Sequence, residues 1–201
     1  MSGEILRSFD VAKWYSTGLT FDGKYLWGLH SNLDLVFQWD FDGKVIKSFA
    51  SPGANPLGIA FDGKYLWITD GTAKTISQCD LDGKIIKSFD VPAGVPISIE
   101  VNDKSLWYCE GDEDRIYQCD LNGNALKSFA TPEDTPNGIA FDNKYLWIID
   151  YDEAEIYQCD LDGKVIKSFA APGDGPSGLA FDGQYLWVID DFEGKVYQIA
   201  R

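Results

Sequence analysis

The segment FDGKYLW occupies residues 21–27 and 61–67, and close variants follow at 101–107 (VNDKSLW), 141–147 (FDNKYLW) and 181–187 (FDGQYLW). The interval is 40 residues each time, in a chain of 201. A fixed period of this length requires one supersecondary unit repeated and stacked, because no unit can bury its apolar face alone. Within one unit, residues 57–96, the pairs Asp62-Gly63 and Asp82-Gly83 each separate two apolar runs. Asp-Gly in that setting signals a hairpin, and a type I′ turn is expected at each pair. LGIAF then turns back into KYLWIT, and ISQCDL into KIIKSF. Pro92 and Pro96 lack N–H donors and end the pairing. The unit is therefore four short antiparallel strands, a to d, and nothing in it has the 3.6-residue period of a helix.

Four antiparallel strands every 40 residues define a blade, and five copies predict an all-β, five-bladed β-propeller, a single domain over residues 1–201. The expected blades are 16–49, 57–89, 97–129, 137–169, and 177–201 completed by 4–9. Residues 1–20 align without a gap on 41–60, so the chain starts with a strand d and ends with strands a, b and c. Pairing residues 4–9 with 195–200 closes the ring and removes the sheet edge at the seam.

The sequence resembles the β-propeller superfamily over its whole length. VFQWDFDGKVIKSF at 36–49 is similar to the c–d portion of WD repeats, with Trp39-Asp40 as the dipeptide. Four of the five blades lack that Trp, and the chain has one His, so the WD hydrogen-bond network does not carry over. The GLAFDG…LWV phrasing is more similar to NHL-like and lyase-like propellers. Plant-type glutaminyl cyclases share the number of blades. These resemblances imply the fold and no common chemistry.

Charge and cysteine content restrict partners and compartment. A net charge of −15 repels phosphate, so nucleic acid and anionic membranes are not expected partners. No apolar run reaches membrane-spanning length and no signal peptide is evident, so a cytoplasmic monomer is expected. Cys79, Cys119 and Cys159 recur at one blade position, which reflects copying; with Cys109 they are expected to be buried, free thiols.

Repeated residues build the fold, and those that break the repetition are candidates for function. Trp27, Trp67, Trp107, Trp147 and Trp187 are expected in the packing between blades. Asp70, Glu110, Asp150 and Asp190 end strand b, where carboxylates can accept N–H bonds from the b–c turn. His30 takes the fifth such position. The face carrying the b–c and d–a loops is the top. On it VAKWYST, at 11–17, places Trp14 and Tyr15 where other blades have small residues or Pro. Strand a has small residues at alternate positions, except in blade 3, where Ser98 and Glu100 intervene. The expected ligand site is accordingly the top face at the seam, with Trp14, Tyr15 and His30 in contact and Glu100 reachable through the channel mouth. The ligand would be a small molecule or a protein. Glu110, Asp112 and Asp114 offer at most a weak cation contact, since an EF-hand's remaining ligands are missing. No metal, cofactor or catalytic motif is evident. The functional expectation is a non-enzymatic scaffold or binding module, including a recently amplified or symmetrised repeat protein. The alternative is a lyase or hydrolase of small molecules at the top channel mouth.

Overall fold

The computed structural model describes residues 2–11, 16–102 and 104–201. Twenty strands form five separate four-stranded antiparallel sheets, the blades of a five-bladed propeller. Blade 1 comprises Ser16–Phe21 (a), Leu26–His30 (b), Leu35–Trp39 (c) and Val45–Ala50 (d). The same four strands recur in blade 2 from Pro56 to Asp90, in blade 3 from Pro96 to Ala130 and in blade 4 from Pro136 to Ala170. Blade 5 takes strands a–c from Pro176–Ile199 and strand d from Ile5–Asp10 at the other end of the chain. Asp10 lies opposite Lys195 and Phe9 opposite Val196, so the seam closes as predicted, one residue further along than expected.

The a–b turn departs from the expectation. Among the described residues Gly23, Gly63 and Gly183, or Asn143, takes a positive φ there, not the Asp before it, and so the Asp-Gly pair does not form the centre of a type I′ turn. The Asp works through its side chain. Asp62 Oδ1 accepts N–H bonds from Lys64 and Tyr65 at 2.9 and 2.7 Å, and Oδ2 accepts from Trp67 Nε1 at 2.7 Å and Gln78 Nε2 at 3.1 Å. One carboxylate thus fixes the turn and gives the buried indole a partner, which a Trp in a core needs. Asp22, Asp142 and Asp182 hold Trp27, Trp147 and Trp187 in the same way.

All five strand-b Trp rings are buried between blades. Each also carries a cation from its own strand d: Arg7 over Trp187 and Lys47, Lys87, Lys127 and Lys167 over Trp27, Trp67, Trp107 and Trp147, at 4.7–5.4 Å. The ammonium groups of Lys47, Lys87 and Lys127 continue into the next blade and donate to the carbonyls of Leu81, Leu121 and Leu161. These lysines latch neighbouring blades. Beside each latch a strand-d Phe covers the c–d turn Gly of the following blade. A Cβ on Gly83 would lie 2.5 Å from Phe49, and one on Gly3, at the start of the chain, 3.0 Å from Phe169 of blade 4.

Inner strands pack edge to edge. A Cβ on Gly58 would come within 2.7 Å of Ser98 Cα, and one on Gly178 within 2.9 Å of the Gly18 backbone. Adjacent inner strands therefore leave no room for even a methyl group at this level, which is why the repeat keeps small residues there. All four cysteines are free and buried. Burial pushes the thiols of Cys79, Cys119 and Cys159 up to about 12, so they are protonated at neutral pH. Among the described residues no helix is long and apolar enough to cross a membrane.

Candidate functional site

On the top face the strand-b carboxylates are already occupied. Asp70 accepts from the N–H groups of Thr72 and Ala73 in the b–c turn and of Ala54 in the d–a loop, at 2.7–2.9 Å. Glu110 accepts from Asp112, Glu113 and Val95, Asp150 from Glu153 and Thr135, and Asp190 from Glu193 and Gly175. Each carboxylate clasps two loops of its blade. The longer Glu110 fits because Gly94 has no side chain: a Cβ there would lie 1.6 Å from Oε1.

Of the residues that break the repeat, Glu100 and His30 do not converge as expected. His30 ends strand b at the top, 7% exposed, and burial holds its imidazole below 6.5, so it is neutral at pH 7. Trp14 and Tyr15 lie outside the described residues. Glu100 is at the opposite end of the blade. Strand a runs from the top downwards, and Glu100 is its fifth residue, paired with Trp107. Trp107 is three residues from Glu110, the counterpart of His30, which is about 10 Å along the strand. Glu100 is also directed into the junction of blades 3 and 4, where its carboxylate accepts from Val101 N at 2.9 Å and Phe141 N at 3.3 Å. Burial raises its pKa to about 7 against the pull of those two bonds. The structure therefore does not bring Glu100 and His30 together. Nor do Glu110, Asp112 and Asp114 make a cation site: Glu110 is buried and occupied, and Asp112 pairs with Lys74 at 3.3 Å. Among the described residues no group of three potential ligands could hold a metal ion.

Sequence reasoning missed a recess of 220 Å³ on the top face between blades 3 and 4, lined by Ile97, Asp114, Asp134, Thr135, Asn137 and Tyr151 among others. Ile97 and Asn137 are the extra residues where strand a slips register against strand b, between Pro96 and Ser98 and between Pro136 and Gly138. Bulges commonly re-aim side chains at sites of this kind. Neither Asp114 nor Asp134 has an ion-pair partner among the described residues, and burial together with Asp134, Glu110 and Asp150 raises the Asp114 pKa. The proline before each bulge, Pro96 or Pro136, was the available signal, but it stands equally in blades 2 and 5.

No protein-family model matches the chain, and no curated protein matches it. Solved structures do. Glutaminyl cyclase from Myxococcus xanthus superposes with a TM-score of 0.85 at 12% identity, covering 98% of this chain and 94% of that one. Virginiamycin B lyase from Staphylococcus aureus gives 0.61 at 20% identity over 92% of this chain and 66% of the other. The β-propeller domain of Cps50 (Swd1) from Myceliophteria thermophila gives 0.61 at 12% identity over 98% and 99%. At these identities the likeness establishes the propeller fold; enzymes are among its bearers, and no activity transfers.

Proposed function

We propose that this propeller is a non-enzymatic binding module, monomeric and working in a reducing compartment, whose ligand docks on the top face. The occupied strand-b carboxylates carry this reading. The acids that end strand b are occupied by backbone N–H groups, the thiols are buried and protonated, and the single imidazole is buried with its pKa lowered. The recess between blades 3 and 4 supplies what recognition needs instead: apolar contact from Ile97, an aromatic wall from Tyr151, and polar groups from Thr135, Asn137 and two unpaired carboxylates. Its charge favours a neutral or cationic ligand over an anion. The alternative, a lyase or hydrolase at the top channel mouth around Glu100, His30 and nearby carboxylates, has less support, because Glu100 and His30 sit at opposite ends of their blades. A thermal-shift screen of divalent cations, sugars, small acids and amines tests the module. Cationic or neutral compounds should raise the midpoint of the parent, and the gain should shrink in Asp114→Asn and Asp134→Asn. A compound that is chemically converted, or a screen in which only anions stabilise, would refute it.

A further inference from the structure

Blade 1 departs from the repeat at three core positions that touch one another. Gly28 stands where the other blades have Ile68, Tyr108, Ile148 and Val188. Trp39 stands where they have Cys79, Cys119, Cys159 and Ile199, and Phe37 where they have Ser77, Tyr117, Tyr157 and Tyr197. The first two changes compensate in volume: a Cβ on Gly28 would lie 2.6 Å from the Trp39 ring, so the indole occupies space the missing side chain vacates. Phe37 stacks on Trp39 with centroids 5.7 Å apart and planes 10° from parallel. Together they form one wall of a 260 Å³ recess at the seam, whose other walls include Asp10, Val11, Ser16 and Val45. Asp10 belongs to the closing strand, and its carboxylate has no hydrogen bond or ion pair with any described residue. Its cross-strand neighbour Lys195 pairs with Glu193 instead, at 3.8 Å.

We propose that this seam recess is a second ligand site, independent of the one between blades 3 and 4, for a flat ring bearing a cationic group. The ring packs on Phe37 and the rim of Trp39, and the cation meets Asp10. The volume is slightly below the roughly 300–1,000 Å³ of sites for drug-sized ligands, which suits one or two fused rings. An aromatic wall gives rigid contact area, and a cation against aromatic faces and a carboxylate with no partner among the described residues is favoured on both counts. An anion of the same shape would meet Asp10 and the field of a chain with net charge −15.

Tryptamine and its anionic counterpart indole-3-propionate are suitable probes, read by saturation-transfer NMR and calorimetry. The parent should bind tryptamine saturably below about 1 mM and indole-3-propionate at least tenfold more weakly. Asp10→Ala, which installs the residue found as Ala50, Ala130 and Ala170, should weaken tryptamine about tenfold and erase the preference. Gly28→Ile with Phe37→Ser and Trp39→Cys rebuilds blade 1 as blade 2, and should abolish tryptamine binding while the circular dichroism is retained. Absence of saturable tryptamine binding in the parent would overturn the proposal, as would equal affinity in the rebuilt protein. If the rebuilt protein fails to fold, the exposed Asp10→Ala decides alone, and unchanged tryptamine affinity there counts against the site.

Discussion

Asn102 replaces the Asp that supports a strand-b Trp in each of the other blades. Its Oδ1 accepts from Lys104 N and Ser105 N, as the Asp does, and Ser105 Oγ takes over the bond from Gln118 Nε2 at 3.1 Å. The indole of Trp107 gains nothing from this exchange. Its Nε1 is buried without a partner, although the ring is only 1% exposed. An unmet buried donor costs about 1–3 kcal/mol. Asn102→Asp should therefore raise the unfolding free energy by about 1 kcal/mol in urea titrations, and a loss of stability would show that Trp107 is satisfied otherwise. Glu100 replaces a Thr or Ala of the other blades, and its effect depends on pH. Its folded pKa, about 7, lies above the ordinary 4.5, so the fold favours the neutral acid. Stability from this group is complete below pH 4.5 and is lost as pH rises through 7. Glu100→Ala should raise the melting temperature at pH 8.5 and show little gain at pH 4; a gain independent of pH would assign the effect to packing. That Glu100 was exceptional could be read in the sequence. Its place at the bottom of the blade could be read too, since strand a runs from the top d–a loop to the a–b turn and Glu100 stands beside that turn; placing it within reach of the top channel mouth overlooked this.

Strands were legible because Val, Ile, Phe and Trp alternate with polar residues between turn signals, and every predicted strand is present. The turns between them were misread in detail. An Asp-Gly pair indicates that the chain reverses, but not that the Asp side chain, rather than its backbone, organises the reversal. The top b–c turns show a related cost. Asp34, Lys74, Asp114 and Ala154 adopt φ of 48–57°, and only blade 5 has Gly there, at Gly194. The conformation is retained because the carbonyl of this residue anchors the start of the d–a loop, as in Ala171 N to Ala154 O at 2.7 Å. A left-handed φ costs an L-residue about 1–2 kcal/mol; a Gly removes that strain from the folded state, and its greater entropy in the unfolded chain offsets part of the gain. Ala154→Gly should stabilise by about 0.5–1 kcal/mol, measured as a shift in the urea midpoint with unchanged slope. Destabilisation would mean that the turn relaxes to another conformation in solution.

The ring as a whole was the most legible feature, since 40-residue self-similarity admits few architectures and the offset of the two ends requires the first strand to complete the last blade. The proposed ligand surface was less legible. The seam loop singled out in the sequence, with Trp14 and Tyr15, lies outside the described residues, and the recess between blades 3 and 4 arises from two bulges whose residues, Ile97 and Asn137, carry no signal of their own. Closure depends on few side chains: within Ile5–Asp10 only Phe9 is buried, packed in the cluster around Trp187, so backbone pairing and that one anchor hold the seam. Without residues 1–10 the edge of Lys195–Ile199 is unpaired, and the truncated chain should melt lower and associate. The seam itself is tested most directly by Asp10→Cys with Lys195→Cys, two positions that face each other across it. Facing residues of paired strands satisfy disulfide geometry. Under mild oxidation the intact monomer should lose the mass of two hydrogens, and its midpoint should rise by an amount equivalent to about 2 kcal/mol or more. Failure to form that bond, or its formation only between chains, would contradict the closed ring.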